Sequence, residues 1–185
     1  MESPELVPAE SRRRMLPPGW LAVGAIALLS IVLLALALSS DPVLPPQVGQ
    51  PVPGFQLTAF DGSPMDLNAQ RGKVVVVNFF ASWCTPCKQE ASDVEQTWRD
   101  YQAQGVQFFG IGYKDAATKA RAFLDETGVS YPATSEDGNR TARAYGVTGV
   151  PETFIIDRSG QLVRHILGPI TRQELSYELD QLVNP

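Results

Sequence analysis

The chain has 185 residues, 44% of them hydrophobic, which allows one ordinary domain with a core of its own plus an appendage. Net charge is −5, and because Arg12, Arg13 and Arg14 balance Glu2, Glu5 and Glu10, the excess acid lies beyond residue 40. An acidic domain without a basic stripe argues against nucleic acid and anionic lipid headgroups as partners.

Leu21 to Leu38 is apolar or glycine throughout except for Ser30. As a helix this run would reach ~27 Å, close to the hydrocarbon thickness of a bilayer. Trp20 stands where an interfacial aromatic belongs, and three arginines precede the run while the next basic residue is Arg71. The positive-inside rule then puts the N-terminus in the cytoplasm and the rest of the chain outside. A cleaved signal peptide is the competing reading, since Ala35-Leu36-Ala37 resembles a cleavage site, but that triplet is embedded in the run. The organisation expected is a cytoplasmic segment (1–19), a transmembrane signal-anchor (20–38), a Pro-rich tether (39–54) and a folded domain (55–185). The tether carries prolines at 42, 45, 46, 51 and 53 and reads as partly polyproline II, reaching at most ~45 Å.

Within the domain, Phe55–Thr58 and Pro64–Leu67 flank an Asp-Gly turn at 61–62 and predict a small hairpin. Val74–Phe80 has no polar alternation before Asn78, as in a strand covered on both faces. The spacing then predicts a helix from Lys88 to about Gln104, a strand over Val106–Gly112 and a helix over Ala116–Thr127 ending at Gly128. Pro132 breaks the chain, a short helix is expected over Asn139–Tyr145, and Thr153–Asp157 with Gln161–Leu167 reads as a second hairpin. Thr171 with Glu174 forms a capping box for a last helix to about Val183. This order predicts an α/β fold, a mixed sheet flanked by helices.

Between the strand and the first long helix lies Trp83-Cys84-Thr85-Pro86-Cys87. A Cys-x-x-Cys pair closes too small a loop to staple a fold, so these two cysteines, the only ones present, are read as redox-active. The strand-to-helix junction puts the first sulfur at a helix N-terminus, where free N–H groups and the macrodipole favour a thiolate.

Three stretches narrow this further: Asn78-Phe79-Phe80-Ala81-Ser82-Trp83-Cys84-Thr85-Pro86-Cys87-Lys88-Gln89-Glu90, then Gly110-Ile111-Gly112-Tyr113-Lys114-Asp115, then Gly146-Val147-Thr148-Gly149-Val150-Pro151-Glu152-Thr153-Phe154. With them, residues from about Pro51 to Val183 resemble the membrane-anchored, thioredoxin-like proteins of the TlpA/ResA and DsbE/CcmG group, which serve cytochrome c maturation outside the cytoplasm. The resemblance implies a thioredoxin fold with an N-terminal hairpin extension. The dipeptide Thr85-Pro86 is closer to the TlpA/ResA side, while the third stretch fits the DsbE pattern at every fixed position. Asn78 stands where cytoplasmic thioredoxins carry a buried Asp that handles protons, so that task falls elsewhere here.

In this frame Cys84 is the exposed nucleophile and Cys87, more buried, the resolving thiol. Glu90 is either a first-turn acid favoured by the helix dipole or the acceptor of the Cys87 proton. By resemblance Pro151 is a cis-proline facing the dithiol, and the groove for a client comprises Trp83, Pro86, Tyr113, Val150, Pro151 and Glu152; Trp83 and Tyr113 could equally be packing aromatics. Glu152 reads either as a solvated strand-start acid or as a second active-site carboxylate. His165, the only histidine, is expected to be structural or a surface tip. No metal and no cofactor is expected, and Lys88 excludes covalent c-type haem attachment.

The implied activity is that of an extracytoplasmic protein-disulfide reductase acting as a monomer. Its partners would be a disulfide-bearing client, apocytochrome c or a haem-handling protein, and a membrane thiol electron donor. Alternatives are a TlpA-like reductase for another client, a thiol oxidase, a thioredoxin-fold chaperone, or a thiol peroxidase, against which stands Ala81 where a threonine would be needed.

Overall fold

The computed structural model describes residues 19–38 and 45–183, with side chains along the first helix at 23–34. The chain divides into two units, Met1–Pro42 and Val43–Pro185. The first contains α1 (Gly19–Leu38), a twenty-residue helix that carries the apolar run. Ser30 Oγ donates to the Ile26 carbonyl at 2.9 Å, so its one polar side chain is satisfied within the helix. Among the described residues no helix is long and apolar enough to cross a membrane, the stretch of α1 with described side chains being shorter than a bilayer. The expected cytoplasmic segment up to residue 18, and residues 39–44 of the expected tether, lie outside the described residues.

The second unit opens with the expected hairpin, β1 (Gln56–Thr58) paired antiparallel with β2 (Pro64–Asp66). Its turn is tightened by Asp61, whose Oδ1 accepts the Ser63 N–H at 2.8 Å. Then follow β3 (Val75–Phe80), α2 (Thr85–Tyr101), β4 (Gln107–Gly112) and α3 (Ala117–Thr127). The chain ends with β5 (Ala133–Ser135), α4 (Arg140–Ala144), β6 (Glu152–Ile156), β7 (Leu162–Leu167) and α5 (Arg172–Val183). Five strands form one sheet in the order β5-β4-β3-β6-β7. β3, β4 and β5 are parallel, while β6 runs antiparallel to both β3 and β7.

Every residue of β3 is buried, as its unbroken apolar run requires of a central strand. One face sets Val75, Val77, Phe79 and Phe154 against Met65 of the hairpin and Tyr145 beside α4. The other sets Val76, Phe108 and Ile155 against Val94 of α2 and Leu175 and Leu179 of α5. α5 begins at the predicted capping box: Thr171 Oγ1 lies 2.7 Å from Glu174 Oε2, and the Glu174 N–H returns to Thr171 Oγ1 at 3.3 Å.

Three features depart from the sequence reading. α2 starts at Thr85 rather than Lys88, because Pro86 falls in the first turn, where a missing N–H costs no helical bond. β5 forms immediately after Pro132, pairing with a β4 made narrow by Gly110 and Gly112. The end of the expected tether is also part of the domain. Gly49 N–H donates to the Leu162 carbonyl at 2.8 Å and Val52 N–H to that of Gly160 at 3.2 Å, covering the start of the otherwise open β7 edge.

Gly110 pairs with Ala133, and a Cβ placed on it would lie 2.8 Å from the Ala133 Cβ, which cannot swing aside. Gly110→Ala is therefore expected to destabilise the domain by about 1–3 kcal/mol through overpacking, read as a lower urea midpoint with an unchanged slope.

Candidate functional site: a dithiol between two buried carboxyls

β3 ends at the loop that carries the cysteines, and the loop is tied down before them. Ser82 donates from its backbone N–H and its Oγ to the Asp115 carboxylate, at 2.6 and 2.9 Å. Trp83 Nε1 donates to the Lys114 carbonyl at 3.3 Å. Lys114 itself takes a left-handed φ of +46°, unusual for a residue with a Cβ, and its N–H is received by Asn139 Oδ1 at 2.7 Å. Asp115 and Asn139 were not singled out from the sequence; only the position of Asp115 at the end of the Gly110–Asp115 stretch pointed to it.

Cys84 is the N-cap of α2, and its Sγ accepts the Cys87 N–H at 3.1 Å. The two cysteines form a disulfide. With the dithiol open, the same N–H and the helix dipole would stabilise a thiolate at Cys84. The sequence reading expects an exposed Cys84 above a buried Cys87, yet both are buried in the closed form, at 4% and 2% exposure. Cys84 Sγ is bonded to its partner on one side and lies 3.4 Å from the Val150 carbonyl oxygen on the other. What stands out to solvent is Trp83, 59% exposed, with Thr85 and Pro86 beside it.

One helical turn beyond Cys87, Glu90 is buried. Oε1 accepts from Asn78 Nδ2 at 2.9 Å and Oε2 from the Ile170 N–H at 2.8 Å. Asn78 Nδ2 also donates to Thr153 Oγ1 at 3.0 Å. Glu90 lies in the second turn of α2, away from solvent, so it does not serve as an exposed helix-dipole acid. Burial pushes its carboxyl up to about 7, the two N–H donors working against the shift and the negative Asp93 adding to it.

Opposite the sulfurs, the Val150–Pro151 peptide is cis, as the resemblance implied. Glu152 follows and is buried rather than solvated. Its Oε1 accepts the N–H groups of Thr148 and Gly149, both at 3.0 Å, and its Oε2 lies 2.7 Å from His165 Nε2. Val150 is half-buried at the rim of the dithiol. Tyr113 is buried in the core with the Lys114 ammonium over its ring, so it exposes no face to a groove. Among the described residues no group of three His, Cys, Asp or Glu side chains is arranged to hold a metal.

The Glu90 environment makes a signed prediction. An acid whose folded pKa lies near 7 against 4.5 ordinarily keeps a proton that the unfolded chain has released, so stability falls as pH rises from 4.5 to 7 and is level above. The expected loss is about 3 kcal/mol at ~1.4 kcal/mol per pH unit, and Glu90→Gln should abolish the slope; denaturant titrations at several pH values measure it.

The arrangement has close counterparts among known proteins. The sequence profile of the AhpC/TSA family matches residues 48–165. The thiol-disulfide oxidoreductase ResA of Geobacillus thermodenitrificans is 30% identical over 73% of this chain and 78% of its own length. The thiol:disulfide interchange protein HelX of Rhodobacter capsulatus is 36% identical over 64% of this chain and 65% of its own. Among solved structures, a thioredoxin-family thiol:disulfide interchange protein from Chlorobium tepidum superimposes with a TM-score of 0.67 at 28% identity, covering 72% of this chain and 96% of that one. With a Cys84–Cys87 pair at the strand-to-helix junction of such a fold, these likenesses show that the chain belongs to the AhpC/TSA family, among its thioredoxin-like ResA-, HelX- and DsbE-type members, and is a thiol-disulfide oxidoreductase.

Proposed function

We propose that the protein is a membrane-tethered disulfide reductase acting outside the cytoplasm, on apocytochrome c or a haem-handling partner in cytochrome c maturation. The observation that carries the reading is the asymmetry of the dithiol. Cys84 caps the helix beside an exposed Trp83 and the Val150 carbonyl, while Cys87, buried like it, lies inside the first turn with Glu90 three residues further on.

The reduced Cys84 thiolate attacks one sulfur of the client disulfide, which joins it in a mixed disulfide and releases the other client sulfur as a thiolate. The Cys87 thiol passes its proton to the Glu90 carboxylate and attacks Cys84 Sγ. That step frees the second client thiolate and leaves the Cys84–Cys87 disulfide, so two electrons have passed from the dithiol to the client. A membrane thiol donor then reopens the pair. A Glu90 carboxyl held near 7 is poised to take a proton and give it back. An extended client segment would meet the backbone at Val150, which is half-buried beside the dithiol, and could pair with it by strand addition. The fit of Gly146–Phe154 to the DsbE pattern, together with the HelX and ResA likenesses, supports a client of the cytochrome c pathway. The charge-free apolar run in α1, with three arginines just before it and no Lys or Arg after it until Arg71, supports the anchor and its orientation.

Cys87→Ser leaves the attacking thiol and removes the resolving one. Expressed in an envelope that makes c-type cytochromes, it should accumulate a mixed disulfide at Cys84 whose partner, identified by mass spectrometry, is an apocytochrome or a haem-handling protein. Accumulation of an unrelated class of client, or of none while the native protein reduces no disulfide, contradicts the reading.

A further inference from the structure

The hydrogen bonds of Glu152 form a relay that the redox chemistry does not use. Its carboxyl is buried, and each oxygen has a different task. Oε1 receives the Thr148 and Gly149 N–H groups, fixing the turn immediately before Val150. Oε2 has one partner among the described residues, His165 Nε2 at 2.7 Å. The pair is within hydrogen-bond distance, and an Nε2–H imidazole is the form that donates to a carboxylate oxygen, which can only accept.

The ring is held in place independently of that bond. His165 lies on β7 opposite Phe154 of β6, and the two rings stack with centroids 4.0 Å apart and planes 15° from parallel. The imidazole is thereby presented edge-on to Glu152, two residues along the neighbouring strand. A buried carboxyl oxygen stripped of its donor must find water or another N–H, and rotating to do so would pull Oε1 off the two amides. The consequence would reach the sulfurs, because the Val150 carbonyl that follows this turn sits 3.4 Å from Cys84 Sγ.

We infer that His165 is a positioning residue for client binding: through Glu152 it fixes the turn at Thr148 and Gly149 that presents the Val150 backbone to an extended, disulfide-bearing peptide. This rests on the reductase reading above and names which residue pre-orders its client strand. A turn already ordered spares an arriving peptide the entropy of ordering it, so the loss should be larger for a peptide than for a small disulfide with no backbone to seat.

The test uses the full chain with His165→Phe, which keeps the stack on Phe154 but has no donor, and His165→Gln, which restores an N–H at similar reach. Two measurements are made: hydrogen exchange at the Thr148 and Gly149 amides, and kcat and KM for a synthetic disulfide-bonded peptide and for bis(2-hydroxyethyl) disulfide. In His165→Phe both amides should exchange about tenfold faster and the peptide KM should rise about tenfold, as for a lost hydrogen bond to a charged group, with a clearly smaller change toward the small disulfide. His165→Gln should recover most of both. Unchanged exchange and KM in His165→Phe, an equal loss toward both disulfides, or no recovery with Gln overturns the inference. Should the Phe variant fail to fold, His165→Asn, whose amide falls short of Glu152, takes its place. If the native protein reduces neither disulfide, the reductase reading fails, while the exchange measurement still decides whether His165 holds the turn.

Discussion

The Glu90 carboxyl is where three parts of the domain meet. It projects from α2, takes an N–H from Asn78 on β3, and takes a second from Ile170 in the turn between β7 and α5. Burying a carboxyl with no ion-pair partner among the described residues is costly, and the cost is offset here by the donors that both oxygens receive. Any shift of α2 along the sheet would break one of those bonds. The helix N-terminus, and with it the position of Cys84, is therefore set by a group one turn further in.

The Pro-Glu-Thr-Phe stretch has a physical division of labour. Successive residues of a strand point to opposite sheet faces, so Glu152 and Phe154 share one face and Thr153 serves the other. Thr153 lies in register with Asn78 and accepts its amide, steadying the group that holds Glu90. Glu152 holds the turn before the cis-proline, and Phe154 packs in the core while providing the platform for His165. One strand thus orders both the surroundings of Glu90, through Thr153 and Asn78, and the turn before Val150, through Glu152.

Much of this was legible from local pattern. The buried run of β3, the Asp-Gly hairpin, the stop at Gly128 and the Thr171–Glu174 box each carry their own periodicity or cap, and each lies where the sequence places it. β5 was not legible, because a three-residue strand has no period to read and depends on two glycines of a distant strand. Nor was the pairing of residues 49–52 with the β7 edge, since proline-rich composition suggests a tether whatever it lies against. At the site the cysteines were readable from spacing and Pro151 from resemblance. The absence of an acid at Asn78 was read as moving the proton task elsewhere; in the structure Asn78 is the donor that holds Glu90. The Asp115–Ser82, Ile170–Glu90 and His165–Glu152 bonds join residues far apart in sequence or across a hairpin, where no local signal marks them.

The central claim is that a buried, nearly neutral-range carboxyl at Glu90 exchanges a proton with Cys87. Carbon-13 NMR titration of protein labelled at the Glu side-chain carboxyl and the Cys Cβ tests it most directly, with the dithiol closed and then open. The account predicts a Glu90 inflection near 7 with the disulfide closed, and in the reduced protein an inflection shared by Glu90 and Cys87, as two coupled sites require. A Glu90 midpoint in the ordinary carboxylate range, with Cys87 titrating as an isolated thiol, would contradict it.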